Sequence, residues 1–223
     1  MTATGPRCAW FENAIVPMAD ARVSVMTHAL QDALTIFAMP LGSYIANEEG
    51  AHVAFSAWRR VDDNAIPARG KIAGASVNSA MSSTDVRLAG YDEALVLNED
   101  GHVSEMSSAN FFIVRDGVAI TPPVTSNVLE GIVRRSVLQL LREELGAPVQ
   151  EREIDRSEVY LAEECFMRGT GVQVCAISRV EHRAIGNGAM GDVTRRLRDL
   201  FFDVVAGKVP RYREWLAPVY PTA

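Results

Sequence analysis

Lysine is nearly absent from this chain. The 223 residues hold two, Lys71 and Lys208, and every other cation is an arginine. A guanidinium stays charged in proteins and cannot act as an amine nucleophile, so amine chemistry has two side chains to draw on. Cysteine is scarce as well. Cys8, Cys165 and Cys175 share no paired or metal-binding spacing, which argues against a disulfide framework and reads as reduced thiols. The four histidines, His28, His52, His102 and His182, are scattered without partners four residues away, so no metal site is expected. The formal charge is −6 and no basic cluster is interleaved with aromatics, so nucleic acid is not an expected partner. No apolar run approaches the length of a membrane span and no secretory leader is recognisable. A cytoplasmic location without a membrane partner is therefore expected. There is no repeat and no low-complexity stretch.

What is present suits an enzyme-sized core, since 48% of the residues are hydrophobic. Short strands and helices alternating around turns predict a mixed α/β chain. Strands are expected over Arg22–Met26, His52–Trp58, Glu93–Leu97, Asn110–Arg115, Val118–Thr121, Pro148–Ile154, Glu164–Arg168 and Val172–Val180. Helices are expected over Ala73–Ala89, Ile132–Leu145 and about Met190–Ala206, with a short one beginning near Arg156 and capped by Ser157. The first 21 residues read as a leader with a possible edge strand, frayed over Met1–Pro6.

Three segments carry chemistry. The first is Ile66-Pro67-Ala68-Arg69-Gly70-Lys71-Ile72-Ala73-Gly74, where small residues crowd the lysine and leave room for a flat ring. Lysine can form a Schiff base with an aldehyde cofactor, although most lysines are solvated surface charges. The second is Val103-Ser104-Glu105-Met106, which lies between two apolar strands. Glu105 reads either as an exposed turn carboxylate or as one held for a buried cation such as a protonated pyridine nitrogen. The third is Leu129-Glu130-Gly131-Ile132-Val133, which places Gly131 at a helix start where free N–H groups suit an anion. A small-residue turn, Gly169-Thr170-Gly171, adds a hydroxyl and more backbone donors.

In this order the pieces resemble the class IV pyridoxal-phosphate enzymes, and specifically the branched-chain amino acid aminotransferases. The resemblance runs from about Arg22 to Pro218 and is closest from Trp58-Arg59-Arg60 to Tyr212-Arg213-Glu214-Trp215-Leu216. It implies a fold like that of D-amino acid aminotransferase, with pyridoxal 5′-phosphate as cofactor. By resemblance Lys71 is the catalytic Schiff-base residue and Glu105 pairs with the ring nitrogen. Asn110, Leu129, Gly131, Ile132, Val133, Gly169 and Thr170 complete the cofactor shell, with Gly131, Ile132 and Thr170 on the phosphate. Residues 1–45 correspond to a remnant of the small N-terminal domain with the interdomain segment, and 46–223 to the large cofactor-binding domain.

Departures from the family pattern are specific. Most of the small domain is missing between Met39 and Leu41, along with an arginine the family uses on the phosphate. Ser76 stands for a tyrosine near the cofactor, Val133 for a threonine, Met106 for a glycine and Ala109 for a glutamate. Met106 is expected to crowd the cofactor site. Two functions stay open. One is transamination between leucine, isoleucine or valine and 2-oxoglutarate by a homodimer with amino acid and 2-oxo acid substrates. The other is a shortened, non-catalytic or weakly active paralogue that keeps the fold and the dimer surface.

Overall fold

The computed structural model describes Cys8–Phe11, Ala14–Pro17, Thr35–Ile36 and residues 50–217. The strand expected over Arg22–Met26 and the fraying expected over Met1–Pro6 lie outside these residues. The chain divides into two compact units, Met1–Gly42 and Ser43–Ala223. In the first, β1 (Cys8–Phe11) lies between β2 (Ala14–Pro17) and β3 (Thr35–Ile36), all antiparallel.

The second unit is built on a nine-stranded sheet. Its strands are β4 (Ala51–Arg59), β5 (Glu93–Leu97), β6 (Val103–Met106), β7 (Asn110–Arg115), β8 (Val118–Thr121), β9 (Val149–Glu151), β10 (Glu164–Gly169), β11 (Gln173–Val180) and β12 (Arg183–Ala184). They run in the order β6-β5-β4-β11-β10-β7-β8-β9, with β12 beside β11. The pairs β4–β5, β4–β11 and β8–β9 are parallel, and the remaining pairs are antiparallel. The sheet curls until its ends meet: Val103 N–H donates to the Ile154 carbonyl at 2.9 Å, and His102 bridges Asp155.

Side-chain alternation along each strand builds two cores from one sheet. In β7, Phe111 and Ile113 point into the curl with Leu95, Val103, Met106, Met167 and Cys175. Phe112 and Val114 point outward, where α2 (Ile132–Glu143) and α3 (Asp192–Val205) cover them with Val137, Leu140, Leu141, Leu197 and Val204. The outward core holds a parallel-stacked pair, Phe112 and Phe166, with centroids 4.8 Å apart. α1 (Ala73–Leu88) lies over β4 and β5 through Val86.

The mixed α/β expectation is met, with local corrections. The strand expected over Pro148–Ile154 shortens to Val149–Glu151, because the following residues leave β8 to close the curl against β6. β6 falls where the local sequence suggests a turn, yet it is a fully buried strand. Ser157 begins a 3-10 turn over Glu158–Leu161 without capping it through its side chain. Glu158 instead accepts from Arg115 and Arg152. The helix expected to run to Leu145 stops at Glu143, and Gly146 follows with a left-handed φ of 61°.

Candidate functional site

A cavity of about 570 Å³ opens where the starts of α1 and α2 meet the β6–β7 and β10–β11 turns. It gathers every site residue the sequence pointed to: Lys71, Glu105, Asn110, Leu129, Gly131, Ile132, Val133, Gly169 and Thr170 all line it. Ser76 and Ala109 line it too, whereas Met106 does not. The expected crowding by Met106 is thus overturned. Glu105 and Met106 are neighbours on a strand and face opposite ways, so the Met106 side chain packs inside the curl with no exposed surface.

Lys71 stands at the end of a short loop that leads into α1. Asp63 holds the loop by accepting from the Ala68 N–H at 2.7 Å, and Gly70 N–H donates to the Pro67 carbonyl at 3.2 Å. Arg69 ties this lip to the opposite one through Glu130, at 2.6 Å. That pair is half exposed, so it contributes at most about 1 kcal/mol. Lys71 itself is exposed, and among the described residues its amine has no hydrogen bond or ion pair.

Glu105 is the opposite case: 5% exposed and fully engaged. Arg60 Nη2 lies 2.8 Å from Oε1, Asn110 Nδ2 donates to Oε2 at 2.9 Å, and the Leu129 N–H donates to the carboxylate at 3.2 Å. Burial pushes its pKa up to about 7, against the pull of Arg60, the Leu129 amide, Lys71 and Arg134. The exposed-turn alternative is excluded. The partner that sequence reasoning missed is Arg60. Its one signal was a paired arginine at the end of an apolar strand, a place where a long cation turns inward only if a carboxylate awaits it.

A polar network sets the loop before α2. Arg60 Nε donates to the Asn127 carbonyl at 2.9 Å, and Ser104 Oγ donates to the Ser126 carbonyl at 2.8 Å. Asn127 adopts a left-handed φ of 57°. Asn110 Nδ2 also donates to the Leu129 carbonyl at 3.0 Å. A side chain at Gly131 would place its Cβ 2.5 Å from Asn110 Oδ1, so any other residue there requires Asn110 to move. On the other wall, buried Glu93 accepts from the hydroxyls of Ser107 and Ser108 and shapes the β6–β7 turn.

The helix starts are treated differently. At α3 the Glu164 carboxylate accepts from the N–H groups of Val193 and Thr194, at 3.0 and 2.8 Å. At α1 and α2, among the described residues, no side chain caps the first turn and no acidic residue stands in it. Both uncapped starts border the cavity, an arrangement whose N–H groups and dipoles suit an anion.

Comparison with known proteins agrees with this architecture. Residues 12–180 match the family described as Amino-transferase class IV. A probable branched-chain-amino-acid aminotransferase of Aquifex aeolicus (strain VF5) is 46% identical over 187 residues, 84% of this chain and 60% of that protein. The crystal structure of a branched-chain aminotransferase from Thermoproteus uzoniensis with norvaline superposes with a TM-score of 0.82 and 36% identity. That match covers 92% of this chain and 68% of that one. The branched-chain amino acid aminotransferase from Thermobaculum terrenum, in its PLP-form, gives a TM-score of 0.80 and 39% identity, covering 85% of this chain and 62% of that one. The chain spans about three fifths of the length of the curated relatives it matches. By sequence and by fold, the chain belongs to the class IV aminotransferase family.

Proposed function

We propose that this chain binds pyridoxal 5′-phosphate at Lys71 and moves amino groups between leucine, isoleucine or valine and 2-oxoglutarate. The observation that carries the reading is a lysine amine lining a cavity that also contains two helix starts and a buried carboxylate, the amine and the helix starts having no side-chain partner among the described residues. The residues fit the cofactor. An anion is called for at α2, Gly131 keeps the wall clear of a side chain, and Lys71 is the single amine among the lining residues. The names of the similar proteins, one of them solved in its PLP-form, support the same substrate class and cofactor.

Pyridoxal phosphate, when bound, supplies an aldehyde that links to amines and a ring that accepts electrons. Lys71 Nζ would be the amine that holds the cofactor and, when neutral, the base placed to take a proton from the substrate carbon. Glu105 would hold a proton on the ring nitrogen, and Arg60 pulls the carboxylate toward its ionised form against the effect of burial. Gly131 and Ile132 at the start of α2, with Thr170, would hold the phosphate. Asn110 and Leu129 act one step back by fixing Glu105 and Gly131. The large domain of this arrangement is residues 46–223, and residues 1–45 contribute a remnant of the small one.

The expected partner is a second copy of the chain, in the cytoplasm. Val77, Met81 and Leu88 form an apolar stripe along α1 and are 62%, 42% and 84% exposed.

A second reading is cofactor binding with little turnover. It is favoured by the exposure of Lys71 and Thr170 on this chain alone, since water weakens the electrostatics of a site. One assay separates the two. Protein, pyridoxal phosphate, leucine and 2-oxoglutarate are incubated, and glutamate is quantified against a Lys71→Ala control. Glutamate above that control supports transamination. Cofactor bound without glutamate leaves the second reading in its place.

A further inference from the structure

Arg168 is the last arginine of β10, directly before the Gly169–Thr170–Gly171 turn, and it is 1% exposed. A buried guanidinium calls for an anion. The two other deeply placed arginines have one: Arg60 has Glu105 at 2.8 Å and Arg134 has Glu151 at 2.9 Å. Among the described residues no carboxylate pairs with Arg168. Its guanidinium lies over the Phe201 ring, 3.9 Å from the centroid. Its Nη1 donates to the carbonyls of Gly169 and Gln173, which closes the turn. Its Nε is buried with no acceptor.

The placement of this charge is specific. Arg168 is the register partner of Asn110 in β7, and paired residues on neighbouring strands share a face of the sheet. Asn110 in turn touches Gly131 at the start of α2. Arg168 lines the same cavity as Gly131, Ile132, Val133, Gly169 and Thr170. One end of the cavity therefore holds an uncapped helix start, a glycine turn and a guanidinium without a counter-charge. The first two offer neutral donors. A phosphate dianion is held more firmly where a full positive charge joins such donors, and Lys71 would be taken up by the aldehyde.

We propose that Arg168 supplies the positive charge that favours the phosphate of pyridoxal phosphate in this cavity, through its field at the Gly169–Gly171 turn and by holding the Gly169–Gln173 turn closed. Burial already pulls its pKa down to about 9, and an anion beside it would raise that value again. The proposal rests on the reading that the cavity takes pyridoxal phosphate.

The test compares pyridoxal phosphate with pyridoxal, which lacks the phosphate, on the unmodified chain and on Arg168→Met and Arg168→Lys. Arg168→Met should weaken pyridoxal phosphate binding by about 10- to 100-fold, the range for a hydrogen bond to a charged group. Pyridoxal binding should change less than about twofold, and Arg168→Lys should recover part of the loss because charge is kept while the fork is not. Equal weakening of both ligands would assign Arg168 a purely structural role and overturn the proposal. So would no weakening of either. Should Arg168→Met fail to fold, the unmodified protein decides: the Arg168 Nε–H resonance should shift and saturate as inorganic phosphate is added. A resonance that does not move overturns the proposal. An unmodified chain that binds neither ligand overturns the functional reading as well, which equal weakening does not.

Discussion

Arg60 Nη2 and Glu105 Oε1 lie 2.8 Å apart with side chains 10% and 7% exposed. This pair joins the end of the apolar strand β4 to the floor of the cavity that Lys71 lines. Breaking one side of such a pair is worse than never having built it, because the remaining charge is stranded in a low-dielectric site.

The first prediction follows from that asymmetry. Arg60→Met should lower stability at pH 8 by about 3–5 kcal/mol, the range for stranding a buried charge. At pH 5 the loss should shrink, because Glu105 then takes up a proton. Urea unfolding midpoints at the two pH values measure this. An identical loss at both would mean that Glu105 is not the group left stranded.

The titration of Glu105 gives the second. Its folded pKa of about 7 stands above the ordinary value of 4.5. A carboxyl raised in this way binds its proton more tightly when folded. Its contribution is fully present below pH 4.5 and is lost as pH rises through about 7. The swing amounts to about 3 kcal/mol. Glu105→Gln, which mimics the protonated form, should flatten the stability profile across that window. A profile with unchanged slope would assign the titration to another group.

Met106 provides the third. Because it packs inside the curl, Met106→Ala should cost about 2–5 kcal/mol of stability while pyridoxal phosphate affinity stays within about twofold. A gain in cofactor affinity without loss of stability would return Met106 to the cavity wall.

Met106 also marks where the sequence was legible and where it was not. The strand Glu93–Leu97 and the helices α2 and α3 could be read because local periodicity decides them. Lys71, Gly131 and Gly169 stood out by residue type and local setting. What escaped was set by partners distant in sequence. The sequence alone left Glu105 open between an exposed turn carboxylate and a buried one, because a strand of only four residues carries too little periodicity to decide. Arg60 and Arg168 carried no local mark, since Glu105 is far along the chain from Arg60 and no carboxylate among the described residues pairs with Arg168. The end of β9 depended on closure against β6, a contact no window of sequence contains.

Two glycines give the fourth prediction as a matched pair. Gly131→Ala would drive a methyl into Asn110 Oδ1, 2.5 Å away. It should cost about 1–3 kcal/mol, as overpacking does, and weaken cofactor binding by displacing Asn110 from Glu105. Gly74, in the first turn of α1, has nothing within 4 Å of the point where an alanine methyl would stand. Gly74→Ala should stabilise the chain by about 0.5–1 kcal/mol. Equal responses at the two sites, read by thermal unfolding and cofactor titration, would remove Gly131 from the cavity wall.

The central claim is that the aldehyde of pyridoxal phosphate meets Lys71, the single lysine lining the cavity. The direct measurement is borohydride reduction of the chain with stoichiometric pyridoxal phosphate, followed by peptide mapping of the phosphopyridoxyl adduct. The account predicts one adduct, on the peptide containing Lys71, and its loss in Lys71→Arg. Lys208 serves as the internal control, since its amine is held by Asp203 at 2.8 Å on the exposed surface after α3. An adduct on Lys208 or spread over the amino terminus, with Lys71 unlabelled, would contradict the account.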